Sequence, residues 1–169
     1  MLFFYFIERV NKFYFYFIHC NLSTQINDSN AVERIYNELN KQRYNKALYP
    51  AWLTLASWYQ NQSDLNSAYT TLNRAAKLSE YNPDVVLVQG WLALQMHDSI
   101  MIKRILNNYA DNNPTYAWGQ LLASLSIYEK SYNSAYFYLR KLAIAEPSDL
   151  TTLVNLADVM RQLGYYANA

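Results

Sequence analysis

The sequence holds few residues of the types that catalyse reactions or bind metal ions. Its one cysteine, Cys20, follows His19 in an apolar run, and the second histidine, His97, lies far along the chain. A nucleophile needs an adjacent base, and a structural zinc site needs four closely spaced ligands. Neither pattern is present, nor is a glycine-rich phosphate loop or an HExxH motif. We therefore expect no catalytic residue, no metal and no cofactor, and we do not expect an enzyme.

The acidic residues are spread along the chain, without the pairing that general acid–base catalysis uses. Glu129, Glu146 and Asp158 are interpreted as solvated surface groups. His97 is interpreted as the end of a helix, where a cation interacts favourably with the helix dipole. Function is therefore expected to come from the surface that the secondary structure builds.

The composition favours helices with a surface whose polarity comes from uncharged groups. Charged residues make up 16% of the 169 residues, against about 25% in an average soluble domain, whereas tyrosine occurs 17 times. The net charge of +1 gives no long-range field that would attract a nucleic acid, so none is expected as a partner. The chain has only three glycines and four prolines, and this low number of turn-forming residues argues against a many-stranded β fold.

A motif recurs along the chain at intervals of 33 or 34 residues. One of its positions is filled by small residues, namely Ala56, Gly90, Ala123 and Ala157. A second position holds Ala68, Ile102, Ala135 and Ala169. Pro83, Pro114 and Pro147 mark the joints between the units. A period of this length predicts stacked units, each of which buries its apolar face against its neighbours.

The spacing resembles the tetratricopeptide repeat (TPR), a 34-residue helix–turn–helix unit. The unit that begins near Tyr49 matches it at Trp52, Leu55, Ala56, Tyr59, Ala68, Leu72 and Ala75. A third unit matches at Leu122, Ala123, Tyr132, Ala135, Leu139, Leu142 and Pro147, and a fourth at Leu156, Ala157, Gly164, Tyr166 and Ala169. The second unit departs from the pattern at Ile102, so its second helix is expected to pack less closely or to slip. The resemblance implies an all-α, right-handed α-solenoid of about three full units and a truncated fourth.

The resemblance covers residues 49–169, which we assign to the TPR array. Residues 21–48 are assigned to a linker and a capping helix of about 31–46, whose start has capping-box spacing at Asn30 and Glu33. Ala169 falls early in the second helix of the fourth unit. We therefore expect a piece of a longer repeat protein. In this piece, the first helix of the fourth unit (about 148–163) is expected to keep an apolar face open.

Polar residues and prolines predict where the helices of the array begin. Asn82–Pro83 and Asn113–Pro114 pair an N-cap residue with proline in the first helical position. The remaining expected caps are Ser63, Asp98, Ser131 and either Ser148 or Asp149. The small residues at the first motif position are expected to allow the second helix of each unit to cross the first closely.

The first 20 residues, MLFFYFIERVNKFYFYFIHC, form a separate apolar segment. A membrane-spanning helix needs about 20 mainly apolar residues, and charged residues such as Glu8, Arg9 and Lys12 interrupt this one. We keep three interpretations open: a divergent membrane anchor, an interfacial or packed apolar arm, and residues that are not native to the protein.

In the TPR family, the first helices of the units (the A helices) line a concave groove. The resemblance implies these partner-binding residues: Ser57, Gln60 and Asn61; Leu87, Trp91 and Leu94; Gln120, Ser124 and Tyr128; Asn155, Asp158 and Arg161. The neighbouring groove positions are Leu53, Thr54, Val88, Gln95 and Leu121. The Lys, Asn and Arg clamp of the family's chaperone-tail binders is absent. This apolar centre with an amide and hydroxyl margin suits a peptide or helix with apolar anchors. For Trp91, packing between neighbouring repeats is an equally weighted alternative to a position in the groove.

Two classes of function follow from the resemblance. The first is a non-catalytic protein-interaction scaffold within a larger, envelope-associated bacterial assembly, with a protein or peptide partner and no small-molecule substrate. Within this class, residues 51–94 look like the periplasmic repeats of the membrane-anchored cytochrome c maturation accessory proteins. The second is a fragment of a long solenoid, such as the periplasmic arm of an outer-membrane polysaccharide exporter. A cytoplasmic location is the alternative to the cell envelope.

Overall fold

The computed structural model describes residues 29–109 and 115–165, which form eight α-helices and no strand. They are α1 (Ser29–Lys41), α2 (Tyr49–Asn61), α3 (Leu65–Leu78), α4 (Pro83–Gln95), α5 (Ser99–Tyr109), α6 (Tyr116–Tyr128), α7 (Tyr132–Ala145) and α8 (Leu150–Gln162). A short 3₁₀ helix, Lys46–Leu48, precedes α2. The all-α class expected from the sequence is confirmed. None of the described helices is long and apolar enough to cross a membrane.

Several predictions from the sequence fall outside the described residues. They concern the apolar segment 1–20 with His19 and Cys20, the pair Asn113–Pro114, and the repeat positions Tyr166 and Ala169. The domain boundaries after residues 20 and 48 also stay predictions.

The helices begin at intervals that match the sequence period. Helices α2, α4, α6 and α8 begin at residues 49, 83, 116 and 150, and α3, α5 and α7 begin at residues 65, 99 and 132. The start of α5 therefore shows no slip, and Ile102, the residue that departs from the motif, is fully buried in it.

Three of the expected helix starts are confirmed by side-chain hydrogen bonds. The Asn82 side chain accepts from the backbone N–H of Asp84 at 2.9 Å, just before Pro83 begins α4. Asp98 accepts from two backbone N–H groups of α5, each at 3.1 Å. Asp149 accepts from the backbone N–H of Thr151 and caps α8. These side chains satisfy N–H groups that lack partners in the first turn of a helix.

Two other predicted starts are wrong by one or two residues, whereas the predicted N-cap of α7 has the right position. Asp64 rather than Ser63 caps α3, because Ser63 lies in the preceding turn with a φ of 61°. Although Asn113 and Pro114 lie outside the described residues, α6 begins at Tyr116 with Thr115 as its N-cap, later than the pair predicts. Ser131 occupies the N-cap position of α7 but forms no capping hydrogen bond.

Helix α1 differs from its predicted bounds of 31–46. It already contains Asn30, so this residue is not its N-cap, and it ends at Lys41. Val32, Ile35 and Leu39 form its buried face, as expected from their spacing.

The chain forms two compact units, residues 1–89 and 90–169, and the boundary lies within α4. In the first unit, α2 packs against α3. The small motif residues Ala56 and Ala68 are both fully buried. Trp52 is also fully buried, with the Tyr36 ring edge-on at 5.7 Å. Burial of this much apolar surface is the main force that holds the helix pair together.

In the second unit, α7 packs against both α6 and α8. Its buried cluster consists of Ala123, Ala135, Leu139, Leu142 and Val159. Gly90 belongs to this unit, and a Cβ atom there would lie 2.4 Å from Leu121 Cδ2 of α6. The expectation that Gly90 makes room for the second helix of its own unit is therefore wrong. It makes room for a leucine of a later helix.

Candidate partner-binding surface

The predicted binding residues of the first unit lie mainly on α2. Ser57 and Asn61 are one turn apart and exposed, and Gln60 beside them is half-buried. The Ser57 hydroxyl donates to the carbonyl oxygen of Leu53 at 3.2 Å, a bond within its own helix. The side-chain amides of Gln60 and Asn61 are therefore the polar groups that this surface offers for hydrogen bonding.

The α4 residues of the predicted set divide between the two units. Leu87, in the first unit, is half-buried. In the second unit, Trp91 is 41% exposed and Leu94 is half-buried. Between them, Leu92 and Ala93 are buried. The helix therefore turns one side towards the core and presents the Trp91 indole to solvent.

On α6, the predicted residues Gln120, Ser124 and Tyr128 share one face, at successive four-residue intervals. All three are half-buried. The Ser124 hydroxyl donates to the carbonyl oxygen of Gln120 at 2.9 Å. Leu121, also placed in the groove by the resemblance, is fully buried. That prediction is wrong, because the leucine side chain fills the space beside Gly90.

Tyr128 links the end of α6 to the turn that follows α4. Its hydroxyl donates to the carbonyl oxygen of His97 at 3.4 Å, and the two rings stack with centroids 5.8 Å apart. His97 has a φ of 55° and follows the end of α4, as expected for a residue that closes this helix. The stacking fixes the orientation of the Tyr128 ring at the surface.

On α8, Asn155 is half-buried, whereas Asp158 and Arg161 are exposed and form an ion pair with each other. An exposed pair of this kind contributes little to stability. The same helix also exposes apolar side chains, because Leu150 is 75% and Val154 59% exposed. The expectation that this helix keeps an apolar face open therefore agrees with the exposure of its side chains.

A hydrogen-bonded cluster fixes the start of α8. The Tyr116 hydroxyl donates to Asp149 Oδ2 at 2.6 Å, and the Thr152 hydroxyl donates to the same oxygen at 2.7 Å. These two bonds lower the pKa of Asp149 to about 2. The same bond to Asp149 raises the pKa of Tyr116. A carboxylate that accepts several hydrogen bonds stays ionised far below its ordinary pKa.

One acid that we interpreted as a solvated group is not solvated. The Glu129 side chain is only 16% exposed, and its carboxylate lies 3.5 Å from the Lys103 ammonium. That interpretation is wrong, because the residue lies at the end of α6 beside α5.

Sequence reasoning missed a group of cations in the first unit. Arg74 of α3 donates to the Asn40 side chain, and its guanidinium carbon lies 4.7 Å from the centroid of the Trp52 ring. Lys46 pairs with Glu80. Each of these hydrogen-bonded pairs joins residues 34 positions apart. The repeat period could therefore have revealed both pairs.

Within residues 29–109 and 115–165, no three His, Cys, Asp or Glu side chains are grouped as metal ligands. No protein-family model matches the chain, and no curated protein matches it significantly.

Proposed function

We propose that the protein is a non-catalytic protein-interaction scaffold of the tetratricopeptide type, with its helices arranged as a right-handed α-solenoid. Its A helices (α2, α4, α6 and α8) bind a partner peptide or helix through apolar anchors. The regular intervals between helix starts and the burial of the small motif residues Ala56, Ala68, Ala123 and Ala135 support this proposal.

The single observation that carries the proposal is the exposure of Trp91. The chain has four tryptophans, and Trp52, Trp58 and Trp118 are at most 9% exposed, against 41% for Trp91. Leaving a large aromatic surface in water costs free energy that a binding partner recovers, and tryptophan is enriched among residues that dominate binding energy. Leu94, one turn further along α4, extends the same apolar surface.

Amide groups on the other A helices supply the polar margin. Gln60, Asn61 and Gln120 carry both donors and acceptors. A peptide backbone presents both as well, so these side chains suit an extended segment better than a purely anionic ligand. The nearby Ser57 and Ser124 hydroxyls already donate within their own helices.

The proposal can be tested by selecting peptides from a random library against the full chain. We expect selected peptides to carry two or more apolar anchors and to bind with a Kd of about 1–100 μM, as for a small interface that orders a flexible peptide. Trp91→Ala should weaken binding at least tenfold.

Phe137→Ala is the matched control, because Phe137 is also an exposed aromatic residue (52%) but lies on α7. Equal affinity of the wild-type chain and both variants for every selected peptide would refute the assignment of the binding surface to the A helices.

A structural arm is a second candidate function, supported by the exposed apolar side chains of α8. Leu150 and Val154 suit packing against a further helix rather than capture of a peptide. In that role, the helices set the distance between attached components of an assembly. Replacing both residues with serine should then abolish docking to the assembly and leave peptide binding at Trp91 unchanged.

A further inference from the structure

The first unit contains an open cavity of about 630 Å³ that is lined by cations. Four positively charged side chains line it: Arg43, Lys46, Arg74 and Lys77. We refer to this site as the basic cavity. No acidic side chain is among its lining residues. Its volume lies within the range of about 300–1,000 Å³ that is typical of small-ligand sites.

Two separate segments bring the cations to the basic cavity. Arg74 and Lys77 lie in the last two turns of α3, and Arg43 and Lys46 lie between α1 and α2. The basic cavity is therefore built from different elements than the A-helix surface. Its function can be tested independently of the proposed peptide binding.

Three of the cations are held in place by neighbouring side chains. Arg74 is fixed by Asn40 and by the Trp52 ring, and Lys46 is paired with Glu80. The Arg43 guanidinium carbon lies 4.9 Å from the centroid of the Tyr44 ring. Side chains that are already oriented lose less conformational entropy when a ligand binds.

The positive charge exceeds what the local structure needs. The C-terminal ends of α1 and α3 each contribute a partial charge of about −0.5 near the cavity. Together with the Glu80 carboxylate, they offset about two of the four positive charges. No carboxylate of the described residues is paired with Arg43 or Lys77. An excess of about two charges is left for a ligand.

Besides the cations, the Asn73 amide is a donor towards the cavity, whereas the Thr70 hydroxyl already donates to the carbonyl oxygen of Asn66 at 2.9 Å. The Asn73 side-chain oxygen already accepts from the Gln89 amide at 2.7 Å, which leaves the NH₂ group of Asn73 as a donor. A phosphate at neutral pH is chiefly an acceptor and fits donors alone, whereas a peptide backbone needs both donors and acceptors.

We propose that the basic cavity binds a compact polyanion, a small soluble molecule with two or more adjacent phosphate groups. Arg43 and Lys77 bind the phosphate oxygens directly. Arg74 contributes charge from its fixed position over Trp52, and Lys46 exchanges its Glu80 partner for the ligand. Binding at such exposed cations weakens as the salt concentration rises, because salt screens the interaction.

Isothermal titration of the full chain with inorganic tripolyphosphate at low and at physiological salt tests this proposal. We expect saturable binding to one site, which Arg43→Gln/Lys77→Gln weakens about tenfold or more, since each removed cation made a charge-assisted hydrogen bond. Arg74 is left unchanged because it packs on Trp52.

The matched control is Arg140→Gln/Lys141→Gln on α7, which removes the same charge outside the cavity. It should bind tripolyphosphate within about twofold of wild type at physiological salt, because neither side chain lines the cavity. Circular dichroism checks that each variant keeps its helices. The single variant Lys77→Gln repeats the tripolyphosphate titration with only one exposed side chain changed.

Three results would overturn the proposal. The first is absence of binding at low salt, and the second is equal weakening by the two double variants. The third is tighter binding of a hexaglutamate peptide than of tripolyphosphate, which would assign the cavity to an acidic protein segment instead.

Discussion

Gly90 of α4 and Leu121 of α6 are in such close contact that a Cβ atom on Gly90 would lie 2.4 Å from Leu121 Cδ2. Gly119 has a similar but looser relationship with Leu142, at 2.8 Å. At Gly90, the helix gives up the higher helix propensity of alanine, which is worth about 1 kcal/mol. In exchange, a fully buried leucine packs directly on the backbone.

We predict that Gly90→Ala destabilises the protein. The overpacking costs about 1–3 kcal/mol, and the better helix propensity returns about 1 kcal/mol. The expected net loss is up to about 2 kcal/mol in the free energy of unfolding, measured by urea denaturation.

The effect of Gly90→Ala on the free energy of unfolding should change sign when Leu121 is shortened to alanine. Leu121→Ala alone should cost about 2–5 kcal/mol, because it leaves a cavity. In the Leu121→Ala background, the methyl group that Gly90→Ala adds would not collide with a leucine side chain, so we expect this substitution to stabilise the protein. If the two substitutions were additive, the close contact would not be the reason for glycine at this position.

The second prediction concerns the pH dependence of stability through Asp149. Its pKa of about 2 in the folded protein lies below the ordinary value of 3.8, because Tyr116 and Thr152 donate to it. The carboxylate therefore stabilises the fold at pH values above about 4, and this contribution is lost as the pH falls towards 2. Asp149→Asn should lower the Tm at pH 6 but have little effect at pH 2.

Two controls accompany this measurement. Tyr116→Phe should raise the Asp149 pKa, as followed by carboxyl ¹³C NMR, because it removes the phenol donor. Asp64→Asn, at the N-cap of α3, changes a carboxylate whose side chain accepts from Ser67 rather than from a phenol. It should show a weaker pH effect, and equal pH effects for the two Asp→Asn variants would contradict the role of Tyr116.

The third prediction concerns Trp52, whose buried indole N–H has no hydrogen-bond partner. An unsatisfied buried donor costs about 1–3 kcal/mol. Trp52→Phe removes this cost while it creates a small cavity, so we expect a loss of only about 1 kcal/mol. Trp52→Ala should cost about 3–5 kcal/mol. Urea denaturation measures both variants, and a loss for Trp52→Phe well above about 1 kcal/mol would show that the unsatisfied N–H carries no penalty.

The fourth prediction separates the exposed from the buried residues of α8. Leu150→Ser and Val154→Ser should each change stability by less than about 0.5 kcal/mol, because both side chains face solvent. Val159→Ala should cost about 2 kcal/mol, because Val159 is only 2% exposed. If Val154→Ser costs as much as Val159→Ala, a second molecule covers this face, and sedimentation velocity would detect it.

The fifth prediction uses the fluorescence of Trp91. Because the other three tryptophans are buried, acrylamide should quench Trp91 preferentially. Trp91→Phe should therefore leave an emission that acrylamide quenches only weakly. Wild-type and variant chains with the same Stern–Volmer slope would show that the Trp91 indole is not accessible.

The sequence was sufficient to predict the fold class and most helix positions. The small residues Ala56, Ala68, Ala123 and Ala135 repeat at fixed intervals and are all buried. The helix ends were harder to predict. Ser63 and Asp64 are both good N-caps, and only the left-handed conformation of Ser63 decides between them.

The candidate surface was predictable only in part. The resemblance to the tetratricopeptide repeat implied a groove face that includes Leu121, but the missing side chain of Gly90 allows this leucine to become buried. Such a contact between helices far apart in sequence is not encoded in the periodicity of either helix. The grouping of Arg43, Lys46, Arg74 and Lys77 was missed for the same reason, because two separate segments contribute to it.

The hydrogen bonds from Arg74 to Asn40, from Lys46 to Glu80 and from Tyr116 to Asp149 connect residues only 33 or 34 positions apart. Contacts of short sequence separation require little loop-closure entropy before they form. Each helix pair can therefore assemble soon after it is synthesised, without waiting for a distant part of the chain. In the solenoid that we propose, this short separation implies low cooperativity, since one helix pair can open while its neighbours stay folded.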